Sequence, residues 1–268
     1  FPSILIYKAH DDFSYYHFPY VYNLINNDII YGIGNINHGF RTPSSIFYFN
    51  SLLYLPIIQY NLFHVTPILI FGFVNFVLLK KIFDRKKIDF ISILSLFSLI
   101  FISIFFYRIS EHGTDRSALI LVLLLVIEVL ILLNFKVDFQ KSLTKIILIL
   151  ALTISFKMFY LLYLLFLLPI LIFLIYENFK ISKLKYFFLN KSNIILASII
   201  ILLFSVNLVN TGCLIYPINF SCIQSLDWTI PSKEVIFMNN WYEQWSKAWA
   251  GPNFRVENPE TYILGFNW

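Results

Sequence analysis

An aspartate pair beside a histidine is the first place where this sequence offers chemistry. His10, Asp11 and Asp12 follow directly on a short apolar stub, in the string KAHDDFSYYHFPY. Two carboxylates in contact resist simultaneous ionisation, so one of them is pushed towards a higher pKa. A carboxylate tuned in this way can take a proton from a hydroxyl as that hydroxyl attacks, provided it lies within hydrogen-bond reach. Asp11 or Asp12 is therefore the candidate general base, with a plain acidic helix cap as the alternative. His10, Tyr15 and Tyr16 are the candidate substrate contacts around it.

A second charged group lies in RISEHGTDRSA, where Arg108, Glu111, His112, Asp115 and Arg116 crowd into a short connection between two apolar runs. Both charge signs in so small a hairpin suggest a convergent site, although a salt-bridged turn that ties two helices together would use the same residues. Arg108, His112 and Arg116 could hold phosphate oxygens, arginine by bidentate hydrogen bonds. Glu111 or Asp115 could bind a sugar hydroxyl or a metal. Lys157 belongs to the same set, because an ammonium inside an apolar segment needs an anion. Its candidates are Glu128, as a structural ion pair, and the phosphate of a lipid. Neither an HExxH string nor a close Cys/His set is present, which argues against zinc. A Mg²⁺ or Mn²⁺ held by carboxylates and substrate phosphates stays open.

The elements that must position these groups are membrane spans. With 59% hydrophobic and 13% charged residues in 268, the chain departs from the roughly one-quarter charged composition of soluble domains. Apolar runs lie at about 64–83, 88–107, 118–134, 145–156, 158–176 and 193–209, and a crossing needs about 20 such residues. The fold class expected is an all-α polytopic membrane protein with about six to seven spans. Residues 1–7 are expected to be the end of a truncated first span, and the chain a piece of a longer protein.

The net charge of +5 does not point to nucleic acid, because the basic residues sit between apolar runs. They gather in three short connections: Lys80, Lys81, Arg85, Lys86 and Lys87; Lys136, Lys141 and Lys145; Lys180, Lys183, Lys185 and Lys191. Placing all three in the cytoplasm satisfies the positive-inside rule. Residues 8–62, 108–117 and 210–268 then face outward. On this reading the chain comprises a membrane domain, 1–209, with an outer loop at 8–62, followed by an outward segment, 210–268.

Lys145–Tyr176 is apolar apart from Lys157, too long for one span and too short for two at about 1.5 Å per residue. It predicts a shallow broken hairpin turning at Ser155, Phe156 and Lys157. Counted from the start of its run, Glu128 lies about 15 Å deep, comparable to Lys157. Residues 13–31 and 44–62, rich in aromatics and poor in charge, predict interfacial helices or strands, with Gly32, Gly34 and Gly39 in the turn between them. Cys213 and Cys222, together on the oxidising side, predict a disulfide. Trp228, Trp241, Trp245, Trp249 and Tyr242 predict an interfacial helix, a membrane anchor or a sugar-stacking face. Asn219-Phe-Ser221 is a sequon, meaningful only in a eukaryotic secretory host.

With an acidic pair after the first apolar segment (HDDFSYYHFPY) and a second acidic loop (SEHGTDRS), the chain resembles the GT-C type of polytopic glycosyltransferases. HGFRTPSSIFYFNSLLYLP, NTGCLIYP and WSKAWAGP also look like strings of a largely uncharacterised bacterial membrane-protein family related to that type. The resemblance implies a hexosyl- or pentosyltransferase of the bacterial inner membrane. It would use a polyprenyl-phosphate sugar donor and a lipid or glycan acceptor among membrane lipids, with its active site facing the periplasm. Asp11 or Asp12 would be the base, and Arg108, Arg116 or Lys157 would surround the donor phosphate. The alternatives are an O-antigen-type polymerase, and a transporter using Glu128 and Lys157 as a relay.

Overall fold

The computed structural model describes residues 12–84, 89–105, 114–134, 137–176, 181–248 and 258–265, the side chains of residues 181–183 excepted. Among them there is no strand, only two isolated bridges. Contacts divide the chain into two units, one of residues 1–29 and 42–203, the other of 30–41 and 204–268. The segment 30–41 joins the tail because Gly32 N donates to Val209 O and Asn210 Nδ2 to Phe40 O.

The first unit opens with a π-helical turn, Phe13–His17, which runs on into α1, Phe18–Asn26. Helix α2, Ser45–Leu52, starts where Ser44 Oγ accepts from Ile46 N, a capping bond that satisfies one of the free amides of a helix start. The long helices follow: α3, Val65–Phe83; α4, Phe90–Phe105; α5, Thr114–Asn134; and α6, Phe139–Phe156. Pro67 sits in the first turn of α3, where no amide is needed for the helical ladder. After α6 comes a 3-10 helix, Met158–Phe166, then α7, Leu167–Tyr176, α8, Ile181–Leu189, and α9, Lys191–Thr211, whose residues from Phe204 on belong to the second unit.

Helix α5 is the central element of this unit. Ile120, Leu121, Leu124 and Ile127 pack with Val74 and Leu78 of α3, Ile91 and Ile102 of α4, and Ile46 of α2. Its other side, Leu125, Val129 and Leu132, packs with Leu143, Ile147 and Ile154 of α6 and Ile170 of α7. Burial on both sides agrees with apolar residues on all faces of α5 beyond its first turn, Glu128 excepted, as expected for an inner helix.

Five helical stretches are long and apolar enough to cross a membrane: Tyr60–Phe83, Thr114–Asn134, Phe139–Phe156, Met158–Tyr176 and Lys191–Thr211. The chain is therefore a multi-pass membrane protein. The six to seven spans expected become five among the described residues, with α4, at 16 residues, shorter than the others.

The shallow hairpin expected at Lys145–Tyr176 is not formed. Helix α6 begins six residues earlier, because Asp138 accepts from Gln140 N and Lys141 N and caps it. Its 18 residues cover about 27 Å. The next stretch reaches further than α-helical rise allows, since nine 3-10 residues and ten α residues span roughly 33 Å at about 2.0 and 1.5 Å per residue. The break itself falls at Lys157 as expected, with φ −158° and ψ 148°, an extended residue between two helices.

In the second unit, Gly32 (φ 69°) and Gly212 (φ 75°) hold left-handed conformations that residues with a Cβ adopt at a cost. Helix α10, Ser232–Ala248, packs Val235 and Met238 against Cys213, Tyr216 and Ile230. A short helix, α11, Pro259–Leu264, follows and is capped by Asn258.

Candidate functional site

Among the described residues of the first unit, two ion pairs lie towards opposite ends of α5, apart from the exposed Lys141–Asp138 pair at the start of α6. At the start of α5, in the first turn, Asp115 meets Lys157. The ammonium lies 2.7 Å from Asp115 Oδ1 and 2.8 Å from Oδ2, and Tyr160 donates its hydroxyl to Oδ1 at 3.0 Å. The local geometry follows from the chain break. An extended Lys157 turns the backbone out of α6, and the 3-10 helix that follows brings every third side chain onto one row. Tyr160 and Tyr163 stack at 5.6 Å with their planes 10° apart, and Tyr163 meets Phe166 at 5.8 Å. Tyr160 is thus held from below by its neighbours in the row and from above by Asp115.

Nearer the other end of α5, Glu128 binds Lys81 of α3 at 2.7 Å. Glu128, one of the two candidate partners of Lys157, is therefore not its partner. Depth counted from the start of the apolar runs, at 118 and 145, misplaces both residues, because the helices begin at Thr114 and Phe139. Glu128 consequently lies closer to the basic end of the bundle, and Lys157 at the opposite end. Lys81, assigned to a basic connection, is instead on α3 and largely buried, 15% exposed.

Of the other expected site residues, Asp12 stands at the start of the π-helical turn, and its side chain does not cap it. Tyr15 is exposed and edge-on to Tyr16. Tyr16 and the buried His17 pack against Phe47 of α2, and from that helix Ser45 Oγ meets Ser155 Oγ of α6 at 2.7 Å, two residues before Lys157. This aromatic layer thereby reaches the α6 end at which the Asp115 cluster sits. Arg116 follows Asp115 in the same turn and is partly buried. His10, Asp11, Arg108, Glu111 and His112 lie outside the described residues. Among the described residues, no three His, Cys, Asp or Glu side chains form a set that could hold a metal. Tyr160 and Tyr163 were not expected; their signal was the three-residue spacing Lys157, Tyr160, Tyr163, Phe166.

The second unit has its own charged centre, built around Arg41. This guanidinium is 3% exposed. It donates through Nε to Gly34 O at 2.7 Å, through Nη1 to Tyr216 OH at 3.2 Å, and through Nη2 to Glu234 Oε1 at 2.7 Å. Burial alone would lower its pKa, but the bonds to Glu234 and Tyr216 outweigh it and hold Arg41 above its ordinary value. His38 is lowered instead, by burial first and then by the positive charge of Arg41, with Glu234 opposing. Cys213 and Cys222 form the expected disulfide. Trp241 lies on α10 against the cluster that contains Cys213, while Trp245 is half exposed. Trp228 precedes that helix, its ring 4.9 Å from that of Tyr31 and tilted 55° to it, and Trp249 lies outside the described residues.

Residues 5–259 match a domain of unknown function, DUF8201, and the chain belongs to that family. No curated protein and no solved structure matches it.

Proposed function

We propose that this member of the DUF8201 family is an integral membrane glycosyltransferase of the GT-C type. It would move a sugar from a polyprenyl-phosphate donor to a lipid or glycan acceptor on the periplasmic face of the bacterial inner membrane. The observation that carries the reading is the Asp115–Lys157–Tyr160 cluster, a charged site at the helix ends opposite the basic connections. A sugar phosphate on a long lipid arrives at that depth, its phosphate at the membrane boundary and its chain among the helices.

In the reaction, an acceptor hydroxyl gives its proton to the carboxylate of Asp11 or Asp12 while its oxygen bonds to the anomeric carbon. The bond from that carbon to the phosphate oxygen breaks, and the electron pair leaves with the phosphate. Lys157, with Arg116 following Asp115 in sequence, would stabilise the charge that develops there, the kind of term that usually dominates such catalysis. No separate base is asked of Asp115. The relay reading of a transporter is weakened by the geometry, because Glu128 and Lys157 each have a different partner.

The test is mass spectrometry of surface glycans and lipid-linked sugars from the source strain with and without the gene, complemented by wild type or by Lys157→Gln. A sugar missing in the deletion and in the Lys157→Gln strain, but restored by wild type, supports the proposal. An unchanged glycan and lipid-linked sugar profile refutes it.

A further inference from the structure

We infer that Lys157 and Tyr160 form an exchangeable seat for a phosphate group, and that Asp115 occupies this seat when no phosphate is bound. The inference deepens the reading of the cluster as a phosphate site and concerns its regulation.

The argument starts from an asymmetry within the ion pair. The side chain of Asp115 is 56% exposed, that of Lys157 only 22%. A carboxylate that the protein covers only in part, in the first turn of its helix, leaves its partner at less cost than a covered one. The ammonium is the more covered partner: Phe156 and Ile154 before it are fully buried and Tyr160 after it is 5% exposed. A cation in such surroundings is costly to leave unpaired. If Asp115 withdraws, another anion that takes its place removes that cost.

The seat that would remain is already formed. Lys157 is fixed by an extended backbone between two helices. The Tyr160 hydroxyl is held by the stack on Tyr163, and both groups now donate to the same carboxylate. One ammonium and one hydroxyl converging on two carboxylate oxygens is also a donor set for two oxygens of a phosphate, which carries more charge and accepts strong charge-assisted bonds. Asp115 thus acts as an internal competitor: it keeps Lys157 paired in the empty state and lowers affinity for the ligand that displaces it.

The chemistry named is a phosphate, whether borne by a lipid or free in water. The full chain is reconstituted in phosphatidylcholine nanodiscs, and binding is measured with phosphatidic acid in the bilayer or with inorganic phosphate in the buffer. Asp115→Asn should bind phosphatidic acid roughly tenfold tighter than wild type, about the worth of one charge-assisted hydrogen bond. Lys157→Gln should remove the binding in both backgrounds. Tighter binding of phosphatidic acid but not inorganic phosphate assigns the seat to a lipid headgroup; the converse assigns it to a free phosphate. Either supports the exchange. Unchanged or weaker binding of both probes by folded Asp115→Asn overturns it.

Should Asp115→Asn fail to fold, isotope-edited infrared spectra of ¹³C-aspartate-labelled wild type give a second reading. Saturating phosphate probe should shift one carboxylate band towards its hydrated position, and no shift would overturn the inference. Because the binding assay involves no sugar transfer, tighter binding with an unchanged glycan profile leaves the seat standing and removes only the glycosyltransferase reading.

Discussion

Glu128 and Lys81 meet at 2.7 Å on adjacent helices, with side chains 7% and 15% exposed. In an apolar bundle each of these charges is tolerated because of the other. Removing one partner leaves an uncompensated buried charge, which costs about 3–5 kcal/mol, whereas replacing both by apolar groups of similar volume is often close to neutral. Lys81→Met and Glu128→Leu should therefore each lower the midpoint of thermal unfolding in detergent, and the double variant should recover most of the loss. A double variant as unstable as the sum of the two would show that the charges act independently.

The basic residues also fix an expectation about sidedness. Lys141 is 82% exposed, one turn into α6, and Lys157 lies just beyond the other end of that helix. With the basic connections in the cytoplasm, a membrane-impermeant maleimide applied to intact spheroplasts should label cysteine introduced at Asp115, itself 56% exposed, and not at Lys141. Labelling at Lys141 alone would invert the topology and place the Asp115 cluster in the cytoplasm.

How much of this was legible in the sequence depended on the range of the interaction. The break at Lys157 was legible because one lysine interrupts a long apolar run, and the Cys213–Cys222 bond because two cysteines lie close together beyond a span. The partner of Lys157 was not. Hydropathy marks where apolar residues begin, but α5 and α6 start earlier, at polar residues such as Thr114 and the turn capped by Asp138. A shift of four to six residues moves a charge by roughly 6–9 Å along a helix, enough to exchange one partner for another. Arg41 illustrates the other limit. In sequence it is a lone arginine in a turn, and its bond to Glu234 crosses 193 residues, which no local spacing announces.

Arg41 should be among the least replaceable residues of its unit. It satisfies a carbonyl, a hydroxyl and a carboxylate at once, and a lysine there cannot reproduce the planar fork. Arg41→Lys should cost about 2–3 kcal/mol from lost bonds to a charged group and the acceptors left behind. Limited proteolysis should show this as faster cleavage within 204–248. Gly34→Ala should act on the same contacts, because a Cβ there would lie 2.7 Å from Asn210 O and 3.1 Å from Arg41 Cγ. Overpacking of this kind costs about 1–3 kcal/mol. Wild-type cleavage rates in both variants would mean that the Arg41 centre is not what holds the unit together.

The lowered pKa of His38 should make the same centre sensitive to acid. Burial and the nearby Arg41 charge lower its pKa below the ordinary 6.5, against a smaller opposing effect of Glu234. The folded unit therefore favours the neutral imidazole, while the unfolded chain takes up a proton more readily. Stability from this source is fully present above the unfolded pKa of about 6.5 and is lost as pH falls through the lower folded value. The proteolytic resistance of 204–248 should accordingly decline as pH drops below 6.5, and His38→Gln should flatten that part of the profile without altering resistance at pH about 8, where the imidazole is already neutral. Arg41→Lys keeps a positive charge close by and should retain the slope at lower overall resistance. A pH profile for His38→Gln parallel to wild type would assign the acid sensitivity to another group.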